Sequence, residues 1–210
     1  MVERNMQILE KIDKYYSATI REFGQSPRGV DWNGVESQQL RFQQLLKLME
    51  GETDFSIADV GCGYGALLDI LPDRFEKFRY TGLDISVEMI KAATDRYSHL
   101  GNAAFLNATL PSVIVDYCVA SGIFNVKSDC SNENWLEYIC DALREINGVS
   151  LRGFSFNCLT SYSDAEKKRD HLYYADPCVI FNWCKRNCSR NVALLHDYGL
   201  FEFTILVRKD

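Results

Sequence analysis

The stretch Asp59-Val60-Gly61-Cys62-Gly63-Tyr64-Gly65 decides the fold of this chain. It follows the apolar run Phe55-Ser56-Ile57-Ala58 and precedes a helical pattern that starts at Ala66. Glycines at such a strand-to-helix turn allow a sharp bend and let a ligand approach the main chain. The spacing Gly61-x-Gly63-x-x-Ala66 also satisfies the dinucleotide-binding fingerprint, so the loop alone leaves several nucleotide ligands open.

A second acid sharpens this interpretation. Asp84 ends the next apolar run, Tyr80-Thr81-Gly82-Leu83, and lies 25 residues after Asp59, which leaves room for one helix and one strand. A carboxylate at that position can accept hydrogen bonds from both ribose hydroxyls of a nucleoside. The alternative is a structural glycine turn with a capping aspartate. The two acids therefore predict a nucleoside site at the carboxyl ends of two neighbouring strands.

Strand and helix patterns alternate along the rest of the chain, which predicts an α/β fold with a parallel sheet covered on both faces. Helices are predicted over 5–23, 35–49, 66–71, 87–97 and 133–146, and strands over 55–60, 80–83, 104–106, 113–119 and 154–159. Two further apolar runs, 191–196 and 201–208, are joined by Asp197-Tyr198-Gly199-Leu200 and predict a closing antiparallel hairpin strand. We interpret residues 1–210 as one domain.

Composition excludes several classes of protein. The 23 Lys and Arg residues against 29 Asp and Glu residues give a net charge of −6, which disfavours a nucleic-acid binder. No uncharged apolar run approaches 18 residues and the start is not signal-like, so neither a membrane span nor a signal peptide is expected. Eight cysteines without a Cys-x-x-Cys pair predict reduced, mostly buried thiols in a cytoplasmic protein, with no metal site.

Asp59 to Gly65, Asp84 and the strand ending at Asp116 resemble the ordered motifs of class I S-adenosylmethionine-dependent methyltransferases. The resemblance covers roughly residues 35–160 and implies a Rossmann-like sheet, S-adenosyl-L-methionine as cofactor and S-adenosyl-L-homocysteine as product. It places the glycine loop at the methionyl half of the cofactor, Asp84 at the ribose and Ile85 at the adenine. The candidate cofactor-binding residues are Asp59, Gly61, Cys62, Gly63, Asp84, Ile85, Asn107, Ala108, Ala120 and Arg41.

The segment after the third predicted strand departs from that family. Many members carry an aspartate there, near the adenine amino group, whereas this chain reads Phe105-Leu106-Asn107-Ala108-Thr109 with Ala108 in place of the acid. Asn107, Thr109 or the main chain are the alternatives for binding the adenine. The departure affects the adenine contact and leaves the ribose contact unchanged.

The nature of the methyl acceptor follows from motifs that the chain lacks. The fourth predicted strand is not followed by the Pro-Pro-aromatic run of base N-methyltransferases, and the only Pro-Cys pair, Pro177-Cys178, reads as a helix start. We therefore expect a small-molecule acceptor, with transfer to an oxygen. A nucleic-acid or protein methyltransferase is the alternative, and so is a catalytically inactive cofactor-binding partner; an NAD-dependent oxidoreductase is disfavoured by the late glycine strand and the closing hairpin.

Candidate acceptor residues come from segments expected at the carboxyl edge of the sheet. His196, at the end of the sixth predicted strand, is the first candidate base and His171 the second, because histidine titrates near neutrality. We expect residues 1–50 to form a helical cap or lid and residues 160–190 an acceptor pocket. The candidate substrate contacts are Tyr16, Trp32, Tyr173 and Tyr198. The oligomeric state is left open.

Overall fold

The computed structural model describes residues 2–210, with side chains from Arg4 onward. The α-helices are α1 Val2–Phe23, α2 Val35–Leu46, α3 Val87–Tyr97, α4 Asn132–Val149 and α5 Pro177–Asn187. The strands are β1 Asp54–Val60, β2 Lys77–Asp84, β3 Ala103–Asn107, β4 Val115–Ala120, β5 Ser150–Leu159, β6 Asn191–Leu195 and β7 Glu202–Arg208. Short 3-10 turns cover Pro27–Val30, Lys47–Met49, Ala66–Asp69 and Ala165–Lys167.

The seven strands form one mixed sheet in the order β3-β2-β1-β4-β5-β7-β6. Strands β1 to β5 pair in parallel, and β7 is antiparallel to both β5 and β6. The carboxyl ends of β1, β2, β3, β4 and β5 therefore meet at one edge of the sheet. The predicted fold class and the closing antiparallel hairpin are both confirmed.

Two local predictions are wrong. The helix predicted over 66–71 is a single 3-10 turn, Ala66–Asp69. The strand predicted over 113–119 is Val115–Ala120, so Asp116 lies at its amino end, where its carboxylate accepts hydrogen bonds from the amide and hydroxyl of Ser56 at 2.7 Å. Val113 and Ile114 are each 66% exposed in the preceding turn, and a run of apolar letters does not distinguish exposed residues from buried ones.

Alternating residues of the strands supply two cores, one on each face of the sheet. Ala58, Val60, Phe154 and Phe156 pack with α4 and α5 on one face. Ile57 packs with α2 and α3 on the other. The two buried faces hold the carboxyl edge of the sheet in a fixed arrangement.

Helix α1 crosses the carboxyl edge of the sheet from one face to the other. Ile8 and Ile12 belong to the core beside α4, whereas Ile20 belongs to the opposite core, and Tyr16 between them packs against both. The connection from β3 to β4 contains no helix. Helix α1 packs on the core that such a helix would otherwise cover. No described helix is long and apolar enough to cross a bilayer.

Candidate active site

The glycine loop between β1 and the 3-10 turn is tied to the end of β2. The amides of Gly61 and Cys62 both donate to the Leu83 carbonyl, at 2.7 and 2.9 Å. Gly61 has φ +72°, and a Cβ there would lie 2.2 Å from Cγ2 of Ile123. Gly63 has φ +55°, and its Cβ would lie 2.8 Å from Val30. Only glycine meets both requirements, a left-handed backbone and close contact with a neighbouring segment.

Asp84 is fixed at the end of β2 by main-chain donors. Its Oδ2 accepts from the Gly63 amide and its Oδ1 from the Ser86 amide, each at 2.9 Å. Burial raises the pKa of Asp84 to about 6, and the two amides act in the opposite direction. The side chain is half-buried and lines the cavity described below, so its remaining lone pairs can accept from a vicinal diol.

Asp59 lies deeper, at the end of β1, and is 3% exposed. Its Oδ2 accepts a hydrogen bond from the Tyr80 hydroxyl at 2.7 Å. Burial raises the pKa of Asp59 to about 7, while the Tyr80 hydrogen bond lowers it. Both predicted acids therefore sit in one site with raised pKa values, which is common where a protein binds or transforms a ligand.

A cavity of about 520 Å³ opens above these acids. Its floor is the glycine loop with Asp59 and Asp84, and its roof is the face of α1 that carries Leu9, Ile12 and Tyr16. One side wall carries Trp32, Gln38 and Phe42, and the other carries α4 residues from Tyr138 to Ile146. This volume is in the range of pockets that hold one small molecule or cofactor.

The cavity collects most of the residues predicted from the cofactor motifs. Asp59, Gly61, Cys62, Gly63, Asp84, Ile85 and Ala108 line it, together with the predicted substrate residues Tyr16 and Trp32. Burial raises the pKa of Cys62 well above its usual value, which makes this thiol a neutral part of the wall.

Three predicted cofactor residues lie outside the lining. Asn107 donates from Nδ2 to the carbonyls of Asp84 and Ile85, at 3.0 and 2.8 Å, and so supports the β2 exit from behind. Ala120 is buried at the end of β4. Arg41 is paired with Glu202, with Nη2 2.6 Å from Oε1, and its guanidinium stacks on Trp32 at 4.0 Å.

Neither predicted base lines the cavity. His196 is exposed after β6, between the rings of Tyr162 and Phe203 at 5.9 and 6.1 Å. β6 is the edge strand, three strands from β4, which corresponds to roughly 14 Å at the usual strand spacing. His171 is exposed and lines a separate cavity of about 250 Å³ beside α1. The base role of each histidine stays a prediction.

Residues 160–190 contribute nothing to the lining of the main cavity, and neither do two predicted tyrosines. Tyr173 is buried, and its amide donates to the Asn125 carbonyl at 2.8 Å. The Tyr198 hydroxyl lies 3.0 Å from the Thr204 hydroxyl of β7. The side walls come instead from residues 30–42 and from α4.

Several lining residues were not predicted from the sequence. Ser121 and Gly122 follow β4, where any parallel strand of this sheet presents ligand contacts, so strand order could have found them. Asn5 of α1 and Asp141 of α4 carried no sequence signal, because each is one polar residue on an amphipathic helix. Across the described residues, no group of three or more His, Cys, Asp or Glu could hold a metal ion.

Known proteins resemble this chain in sequence and in fold. The sequence profile of the family described as "Methyltransferase domain" matches residues 57–146. "Putative methyltransferase Rv1506c" of Mycobacterium tuberculosis is 56% identical over 164 residues, which are 78% of this chain and 99% of that protein. The solved DhpI–S-adenosylhomocysteine complex superposes with a TM-score of 0.68 at 14% identity, covering 96% of each chain. N-methyltransferase NodS of Bradyrhizobium japonicum, with the same ligand, gives 0.62 at 16% identity, covering 92% of this chain and 97% of that one.

The chain belongs to the class I S-adenosylmethionine-dependent methyltransferases. Its residues fit the cofactor: the glycine loop leaves room for main-chain approach, and Asp84 offers acceptors for a ribose diol. When bound, S-adenosylmethionine supplies a methyl group activated on a sulfonium sulfur. The protein supplies alignment and a cavity roofed by α1, which limits the access of water.

Proposed function

We propose that this enzyme methylates an oxygen atom of a small-molecule acceptor. The observation that carries the proposal is the roofed cavity of about 520 Å³, which is lined by the glycine loop, Tyr16 and Trp32. A roofed cavity of this size suits small molecules, whereas a polymer needs an open surface. The net charge of −6 also disfavours a polyanionic substrate.

The lining indicates which kind of oxygen accepts the methyl group. It contains no lysine and no histidine among the described residues, and its carboxylates nearest the glycine loop, Asp59 and Asp84, are engaged by Tyr80 and by main-chain amides. An alkylamine is protonated at neutral pH and an alcohol must lose its proton, whereas a carboxylate is already ionised. We therefore favour a carboxylate acceptor, which needs no general base.

A matched acceptor series tests this proposal. The enzyme is incubated with S-adenosylmethionine and a carboxylic acid, an alcohol or an alkylamine built on one carbon skeleton, and S-adenosylhomocysteine formation is measured. Turnover of the carboxylate alone supports the proposal. Turnover of the amine alone would transfer the activity to nitrogen and contradict it. Asp84→Ala is the cofactor-site control and should abolish turnover of every acceptor.

A further inference from the structure

The segment after β3 carries no carboxylate for the adenine amino group, and the Thr109 hydroxyl is its one side-chain oxygen in the lining of the cavity. Ala108, which replaces the usual acid after β3, offers only a methyl group to the cavity. Asn107 lies outside the lining of the cavity, and its Nδ2 donates to two carbonyls of the β2 exit. Adenine carries an exocyclic amino group with two N–H donors, and leaving it unmatched inside a cavity costs binding free energy.

Two side chains in the same cavity carry acceptor oxygens that lack a donor. Oδ1 of Asn5 on α1 and Oδ2 of Asp141 on α4 are buried acceptors without a hydrogen-bond partner among the described residues. The other oxygen of Asp141 accepts from Nη1 of Arg144 at 2.8 Å, and Oδ2 lies 3.6 Å from Nη2 of Arg4, beyond hydrogen-bond distance. A buried acceptor left unsatisfied is unfavourable, which points to a ligand that brings a donor.

The unpartnered oxygens and the expected position of the adenine belong to one cavity. This cavity is lined by Gly61 and Asp84, by Ile85, Ala108 and Leu110, and by Asn5 of α1 and Asp141 of α4. A nucleoside whose ribose is held by Asp84 must place its base in the next part of the cavity. Ile85 and Leu110 offer apolar surface to the faces of the base, and the two unmatched acceptors belong to the same lining.

We propose that Asn5 and Asp141 recognise the adenine amino group of the cofactor, in place of the missing acid after β3. An asparagine amide pairs well with adenine, because its oxygen accepts from the amino group while its NH₂ donates to a ring nitrogen. The Asp141 carboxylate accepts the second amino hydrogen. Helix α1 thereby becomes part of the cofactor site as well as its roof. The inference rests on cofactor binding and is independent of the acceptor proposed above.

Calorimetry with two ligands tests the proposal without turnover. S-adenosylhomocysteine is compared with its hypoxanthine analogue, in which a carbonyl oxygen replaces the amino group. The wild-type enzyme should bind the analogue about tenfold to a hundredfold more weakly, because the new oxygen faces the Asp141 carboxylate. Asp141→Ala and Asn5→Ala should each weaken S-adenosylhomocysteine binding and bring the two affinities closer together. Asp141→Asn, which keeps an acceptor oxygen, should retain part of the discrimination.

Glu137→Ala is the matched control. Glu137 also pairs with Arg4 from α4, but its side chain is 65% exposed and outside the cavity lining, so its loss should leave discrimination unchanged. Equal loss in Glu137→Ala and Asp141→Ala would overturn the proposal, and so would discrimination that disappears in Thr109→Val but persists in both proposed variants. Failure of S-adenosylhomocysteine to bind the wild-type enzyme would instead refute cofactor binding itself.

Discussion

Arg41 of α2 and Glu202 of β7 form a buried ion pair between residues 161 positions apart in the chain, with Nε 2.8 Å and Nη2 2.6 Å from Oε1. The other carboxylate oxygen accepts from Nδ2 of Asn157 at 2.7 Å, and Oδ1 of Asn157 accepts from the Gly122 amide at 2.8 Å. Trp32 contacts both ends of this series of hydrogen bonds, because it stacks on Arg41 and packs against Gly122. One buried polar network therefore connects two residues of the cavity lining, Trp32 and Gly122.

Breaking this pair should strongly destabilise the fold. Glu202→Ala leaves the Arg41 guanidinium buried without its counter-ion, which costs about 3–5 kcal/mol of unfolding free energy. Urea unfolding measures the change. Arg79→Ala removes an ion pair with Asp54 whose side chains are 66% and 59% exposed, and it should cost less than about 1 kcal/mol. Equal effects of the two substitutions would contradict the structural role of the Arg41–Glu202 pair.

Gly61→Ala should abolish most of the affinity for the cofactor. The new Cβ would clash with Ile123 at 2.2 Å, and φ +72° is unfavourable for alanine, so the loop must move. We expect S-adenosylhomocysteine to bind at least about tenfold more weakly in calorimetry. Gly101→Ala is the control, since no atom lies within 4 Å of its Cβ. Wild-type affinity in the Gly61 variant would show that the loop does not contact the ligand.

Cofactor affinity should depend on pH through Asp84. Its pKa of about 6 means that the carboxylate is largely ionised at pH 7.5 and largely protonated at pH 5. Since only the ionised form accepts from both ribose hydroxyls, affinity for S-adenosylhomocysteine should fall about tenfold between these values. Asp84→Asn should bind weakly and with little pH dependence. Glu88→Gln is the control, because contact with Arg21 lowers the pKa of Glu88 and keeps it ionised over this range.

How much the sequence predicts depends on the range of the signal. Sheet class, the glycine loop and Asp84 follow from local patterns, because each needs particular residues within a short segment. The residues around the acceptor did not follow from local patterns. His196 lies at the predicted edge of the sheet, but its distance from β4 depends on strand order. Asn5 and Asp141 line the same cavity only because α1 packs beside α4, which is a long-range packing event without a local pattern.

His196→Ala and His171→Ala should leave methyl transfer within about threefold of wild type, since neither side chain lines the cavity and a carboxylate acceptor needs no base. The initial rate of S-adenosylhomocysteine formation across pH 6–9, measured with whichever acceptor of the matched series is turned over, checks this. A loss of more than about a hundredfold in either variant would identify that histidine as the base, since general-base catalysis contributes at least that much. His99→Ala, which removes a histidine outside both cavities, is the control.

Asp59 should make the free enzyme less stable as pH rises from 4 to 8. Burial raises its pKa from 3.8 to about 7, so between those values the folded state binds a proton that the unfolded state has released. Unfolding free energy must then fall with increasing pH, by up to the order of 4 kcal/mol from this group. Asp59→Asn should flatten the profile measured by urea unfolding at several pH values and stabilise the protein at pH 8. Asp54→Asn, at the exposed start of the same strand, should keep the wild-type slope. An unchanged slope in Asp59→Asn would mean that this carboxyl group is ionised in the folded enzyme over the whole range.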